Sequence, residues 1–197
     1  MGTIDRYIQD NWLRPIRLKA ILKILNKLPG GSVLDVGCMD DYLLKRIDRK
    51  KFDYSGIDIE PLVEHDKIMK KSVEELIKGK NPQKSKISGA TKSKTAPSRR
   101  NSEDFDGYDI VIATEVLEHV DDPVDAMKKI KGLSKRFVLV SVPNEPWFML
   151  ARGFAPDREH LWTIRPWTLD KNFGKPVLTQ KACFRRSHIA LYDLSKN

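Results

Sequence analysis

Ser32-Val33-Leu34-Asp35-Val36-Gly37 constrains the fold of this chain more than any other stretch. The apolar run is too short for a helix and ends in an acid and a glycine, as a strand buried on both faces reads where it enters a ligand loop. Such a strand needs helices on both faces. Upstream, residues 15–28 place Leu18, Ile21, Leu22, Leu25 and Leu28 at helical spacing, with Pro15 in the first turn and Gly30-Gly31 as the stop. Downstream, Asp40 and Asp41 are expected to cap a helix running to about Asp48.

The same alternation continues. Strands are expected at 54–60, halted by Pro61, more weakly at 67–72, and strongly at 108–114, where Tyr-Asp-Ile-Val-Ile-Ala-Thr runs into a helical turn from Glu115 to Val120. Asp122-Pro123 pairs a cap with a first-turn proline for a helix from Val124 to about Leu133, and a strand follows at 136–143. Two last strands, 177–184 and 188–194, flank Arg185-Arg186-Ser187 as a hairpin. This order predicts an α/β fold: a doubly wound, mostly parallel sheet of seven strands, Rossmann-like, with a C-terminal antiparallel hairpin. A chain of 197 residues fits a single domain, 1–197.

Charge bears on the partner. The formal net charge is +9, yet residues 78–100 hold eight lysines and arginines and no acid, so the other 174 residues carry only +1. That stretch has one large apolar residue, Ile87, among Ser, Thr, Gly, Pro and Lys, and buries too little to offset its ordering entropy. Residues 78–104 are therefore read as a disordered basic surface insertion, with an electrostatic arm for RNA or another polyanion as the alternative. No apolar run approaches the ~18 to 20 residues that span a bilayer, and the N-terminus lacks a basic-then-apolar layout. The expectation is a cytoplasmic protein without a membrane span. Cys38 and Cys183 stand far apart, so neither a disulfide framework nor a cysteine zinc site is expected.

In an open α/β sheet, ligands bind beyond the carboxyl ends of the strands. That gathers Asp35–Asp41, Asp58–Pro61, Ser72–Glu74, Thr114–His119 and Val142–Trp147 around one crevice. Asp58 ends the second strand 23 residues after Asp35, the spacing at which an acid accepts the hydroxyls of a ribose.

Val-Leu-Asp-Val-Gly-Cys at 33–38, Gly-Ile-Asp-Ile-Glu-Pro at 56–61, Tyr-Asp-Ile-Val-Ile-Ala-Thr-Glu-Val-Leu-Glu-His-Val-Asp-Asp-Pro at 108–123 and Val-Ser-Val-Pro-Asn at 140–144 resemble, in order and spacing, the class I S-adenosylmethionine-dependent methyltransferases. The resemblance is closest to the small ubiquinone-biosynthesis-type group. It implies methyl transfer from S-adenosylmethionine to an unidentified acceptor, a small molecule being favoured. It implies that Asp35, Gly37 and Met39 meet the methionyl part, Asp58 the ribose, Ile59, Ser72 and Val73 the adenine, and that Thr114 with Glu115 closes the floor. The sequence departs from the family's Asp-x-Gly-x-Gly-x-Gly pattern, with Met39 and Asp41 at the later glycine positions.

Methyl transfer needs alignment and exclusion of water, and a base only when the acceptor must lose a proton. His119 and His160 are the candidate bases, with Glu115 beside them. A sharper alternative sets Glu115, Glu118 and His119 on one helical face at i, i+3 and i+4 and adds His160, a set able to hold Mg²⁺. That pattern resembles the small-RNA 2′-O-methyltransferases of the Hen1 type. A second alternative is a non-catalytic relative that uses the fold for binding only. Residues 144–167 crowd four aromatic residues, Trp147, Phe148, Phe154 and Trp162, ahead of Trp167 and read as a lid over the acceptor, with Trp12 and Arg14 completing the cover.

Overall fold

The computed structural model describes residues 12–73, 75, 107–144 and 161–196. Seven strands form one sheet in the order β3-β2-β1-β4-β5-β7-β6. They are β1 (Gly31–Val36), β2 (Phe52–Asp58), β3 (Ile68–Lys70), β4 (Tyr108–Thr114), β5 (Ser134–Pro143), β6 (Leu178–Ala182) and β7 (Ser187–Asp193). The first five run parallel, and β7 is antiparallel to both β5 and β6. This is the mixed α/β sheet expected from the sequence, hairpin edge included.

Alternation along the strands divides the core in two. Val33, Tyr54, Ile110, Ile112 and Leu139 pack on one face against Ile21 and Leu25 of α1 (Arg14–Leu25). Leu34, Val36, Val111, Val138 and Val140 pack on the other against Met127 and Ile130 of α2 (Pro123–Leu133) and Leu169 and Phe173 of α3 (Pro166–Phe173). Helix α2 starts where the cap demands: the Asp122 carboxylate accepts from the Val124 and Asp125 N–H groups, with Pro123 in the first turn. No helix of the described residues is long and apolar enough to cross a membrane.

The structure differs from the sequence expectations in four places. Residues 41–48 form turns and no helix. Lys45 N–H reaches Asp41 O, but Arg46 and Ile47 both reach Leu43 O, so the bonding alternates between three- and four-residue steps. Asp48 then takes the Lys51 and Phe52 N–H groups and turns the chain into β2, leaving too few residues for a helix to propagate. Residues 115–120 likewise make a turn, closed by His119 N–H on Val116 O. Helix α3 overlaps the segment read as a lid, 144–167, only at its first two residues and otherwise falls where no element is expected. Its signals are Pro166 in the first turn, Leu169 and Phe173 one helical repeat apart, and Gly174 as the stop. The basic insertion at 78–104 and residues 145–160 lie outside the described residues.

Strand β6 ends two residues sooner than expected and β7 begins one sooner, so the turn between them falls at 183–186. Cys183, Phe184 and Arg185 take φ of 52°, 54° and 69° in succession. Each such non-glycine residue costs about 1–2 kcal/mol, so the turn persists only because its surroundings hold it.

Helix α3 is anchored by one side chain. Phe173 is fully buried, its ring centroid 5.3 Å from that of Tyr192, whose hydroxyl donates to Asp170 at 2.8 Å. Phe173→Ala should destabilise the protein by about 3–5 kcal/mol in urea unfolding, with the same loss read by far-UV circular dichroism and by fluorescence.

Candidate active site

The parallel strands β1, β2, β4 and β5 bring their carboxyl ends to one side of the sheet, where such folds form a crevice, and Asp35 is buried near the end of β1. Alternation turns this side chain toward the α1 face, where it is 2% exposed. The Tyr54 hydroxyl donates to Oδ2 at 2.7 Å, while Oδ1 is buried with no partner among the described residues. Burial raises its pKa to about 7, against the lowering pull of the Tyr54 hydrogen bond and the Arg14 charge. Burial, and then the Asp35 charge, also push the Cys38 thiol well up.

The loop after β1 is tightly built. Gly37 and Cys38 both donate their N–H groups to Ile57 O, at 2.8 and 3.1 Å. Gly37 has φ of 70°, and a Cβ there would lie 2.3 Å from Val116 Cγ2, so any other residue would have to displace that side chain and take a strained φ. Met39 adopts φ of 63° although it is not glycine. Its N–H donates to Asp58 Oδ2 at 2.7 Å, and its carbonyl accepts from Leu62 N–H at 2.8 Å.

The first residue of α1 holds the loop from the other side. Arg14 makes a fork on Asp40, Nη1 to Oδ2 and Nη2 to Oδ1, each 2.8 Å, and Nη2 reaches Cys38 O at 3.2 Å. Asp40 also accepts from Tyr42 N–H at 2.8 Å. Burial alone would raise the Asp40 pKa, but Arg14 and the Tyr42 N–H outweigh it and hold the carboxyl below the usual range. The sequence places Arg14 only as cover for the crevice; the structure makes it the brace of the loop. No local pattern signals this, because the partners stand 26 residues apart.

Asp58 ends β2. Its Oδ2 accepts from Met39 N–H and its Oδ1 from Glu60 N–H at 2.9 Å. A carboxylate offers about four acceptor positions, so one on each oxygen remains. Ile59 and Leu62, 67% and 65% exposed, present apolar surface beside it. Ser72 and Val73 are drawn elsewhere. Ser72 and Glu75 exchange hydrogen bonds at 3.2 Å, each side chain to the other's N–H, and Val73 is buried in the core. The Ser-x-x-Glu signal of this capping box stands in the sequence at 72–75.

Thr114 is buried at the end of β4, and Glu115 breaks out of the strand with φ of 55°. Its N–H donates to Ser141 O at 2.9 Å, its Oε1 accepts from Ser141 Oγ at 3.0 Å, and Arg17 Nη1 lies 3.6 Å from Oε2. Arg17 is itself buried, and its Nε has no partner among the described residues. Sequence reasoning took Arg17 only as a helix residue, although a charge amid Leu18 and Ile21 marks the face that meets the sheet.

The expected shared face of Glu115, Glu118 and His119 does not form. Glu115 is in the left-handed region, Glu118 is wholly buried and His119 is exposed, so without a helix the spacing does not align them. Among the described residues no group of three or more His, Cys, Asp or Glu side chains is placed to hold a metal ion. His160 lies outside the described residues. A cavity of about 850 Å³ opens at the amino ends of β1 and β2, at the opposite end of the sheet, lined by Arg49, Lys50, Lys51 and Lys67. Lys67 is paired there with Asp53, and Lys51 donates to Asn26 O.

A family model described as a methyltransferase domain matches residues 5–176. A ubiquinone biosynthesis O-methyltransferase of Actinobacillus pleuropneumoniae is 33% identical over 125 residues, covering 62% of this chain and 49% of that protein. The chain thus spans about half the length of the curated relatives it matches. Among solved structures, the magnesium protoporphyrin IX methyltransferase of Synechocystis, with bound S-adenosylhomocysteine, superposes with a TM-score of 0.63 at 16% identity, over 98% of this chain and 88% of that one. The small RNA methyltransferase HEN1 gives 0.63 at 14%, over 92% of this chain and 25% of that one. At these identities the structural likeness is one of fold.

Asp35 should leave a signature in stability. Its folded pKa of about 7 lies above the ~4 of an unfolded aspartate, so between these values the folded state holds the extra proton. The Asp35 contribution therefore falls as pH rises from about 4 to 7. Urea unfolding across that window should show this slope, and Asp35→Asn should remove it.

Proposed function

The chain belongs to the methyltransferase domain family, and from that membership we propose that it transfers a methyl group from S-adenosylmethionine to a small-molecule acceptor. The observation that carries the reading is the loop at the end of β1, where Asp58 fixes Met39 while keeping acceptor capacity on both carboxylate oxygens. The residues present fit the group. Asp58 would take the ribose hydroxyls, and Ile59 would cover the adenine face. Ser72 and Val73 would border the adenine edge through backbone rather than side chain. The partnerless Asp35 Oδ1 and the Gly37 and Met39 backbone would meet the methionyl end. Arg17, Thr114 and Glu115 would form the floor, where the buried Arg17 Nε supplies a donor for a carboxylate.

S-adenosylmethionine supplies an electrophilic methyl group: the acceptor's lone pair bonds to its carbon as the carbon–sulfur bond breaks and that electron pair stays on sulfur. The chain's own task is to orient the acceptor and exclude water, which shapes alone accomplish. His119, which is exposed, and His160 are the groups proposed to take the acceptor's proton. The reading treats residues 1–197 as one domain with a basic insertion at 78–104. A metal-assisted attack on an RNA ribose has less support, since Glu115, Glu118 and His119 do not converge.

Calorimetric titration with S-adenosylmethionine tests the reading. Wild-type protein should bind in the micromolar range. Asp58→Ala, folded by circular dichroism, should bind roughly tenfold to hundredfold more weakly, the cost of losing charged hydrogen bonds. Equal affinity of the two proteins would move the ribose site elsewhere, and no binding by either would leave a fold used without this donor.

A further inference from the structure

The turn between β6 and β7 lies at the rim of the crevice. Strand β7 is antiparallel to β5 with Pro143 opposite Ser187, so the turn meets the carboxyl end of β5. Asn144, next in the chain after β5, grips it: its N–H donates to Arg186 O at 2.7 Å and its Nδ2 to Arg185 O at 2.8 Å. From the other side the buried Cys183 thiol donates to Leu13 O at 3.0 Å. Burial pushes the Cys183 thiol up, against the lowering pull of the Arg17 charge.

These contacts force three successive residues without glycine into the left-handed region, where glycine or asparagine would relieve the backbone. The result is Phe184 with 87% of its surface exposed. Trp12, next in sequence to Leu13, is 66% exposed, so an exposed aromatic residue adjoins each partner of the Cys183–Leu13 bond in the chain. A strained backbone that holds an aromatic ring in water contributes nothing to the folded state alone, and such strain is retained where a ligand uses it. We propose that Phe184 is a specificity-determining residue, and that the methyl acceptor is a planar, largely apolar molecule stacked on Phe184 with Trp12 at its edge. This rests on the methyltransferase reading, in which the acceptor approaches at the carboxyl end of β5, where the turn lies. Asn144 is then a positioning residue for the turn.

The test uses 2-naphthol as a planar apolar hydroxyl compound and glycine as a polar aliphatic amine, each titrated into protein saturated with S-adenosylhomocysteine. Wild type should bind 2-naphthol and not glycine. Phe184→Gly should weaken 2-naphthol binding at least tenfold while S-adenosylhomocysteine affinity stays constant and Tm rises by about 2–4 °C as the backbone relaxes. Phe184→Tyr should keep the affinity, and Asn144→Ala should lower it. A merely structural turn would give Phe184→Gly the same Tm gain with unchanged 2-naphthol affinity, which overturns the inference. Failure of S-adenosylhomocysteine to bind wild type would instead overturn the reading beneath it, and the inference with it.

Discussion

The fork between Arg14 and Asp40 is the interaction on which the crevice depends. A strand-end loop that must turn sharply beside a ligand ordinarily uses glycine, because only glycine takes positive φ without a steric cost. Here one glycine, Gly37, stands where a Cβ would have to displace the Val116 side chain, and the next turn falls to Met39. A side chain at that φ persists if the loop is held on both sides. Arg14 holds Asp40 and Cys38 O from α1, and Asp58 holds the Met39 N–H from β2. The fork is bidentate and largely enclosed, the geometry in which a charged pair fixes a backbone best. Asp58 is thus tied into the loop after β1 through the Met39 N–H.

Around this brace the crevice is graded. Its floor carries polar groups only partly paired among the described residues: Glu115 rests on Arg17 and Ser141 and Asp35 on Tyr54, while Arg17 Nε and Asp35 Oδ1 stay open. Its rim carries exposed apolar surface, with Ile59 and Leu62 beside β2 and Phe184 beyond β5. Neutralising Asp35 near pH 7 spares the fold a bare buried charge and leaves the site sensitive to protonation in the physiological range.

What the sequence revealed, it revealed through local rules. Tyr108–Thr114 was legible to the residue because a buried parallel strand is a continuous apolar run, and α2 because Asp122-Pro123 is both cap and first turn. Residues 41–48 and 115–120 carry helix-compatible spacing, but the hydrogen bonds that Asp48 O accepts and the positive φ of Glu115 end each within a turn. Spacing alone does not show this, so the Glu115, Glu118 and His119 face was drawn on a helix that is absent. Helix α3 was hidden among aromatic residues that suggested a lid. The brace itself was illegible: Arg14 and Asp40 meet only because α1 packs across β1, and Cys183 meets Leu13 across 170 positions.

The most direct measurement is a double-mutant cycle on S-adenosylhomocysteine affinity with Arg14→Ala, Asp40→Ala and the double variant, all at neutral pH and one salt concentration. If the fork sets the loop, each single change weakens binding and the double variant binds no more weakly than either one, so the two effects share a single coupling. Effects that simply add, or affinities equal to wild type, would mean that the loop keeps its shape without the fork and would contradict the account.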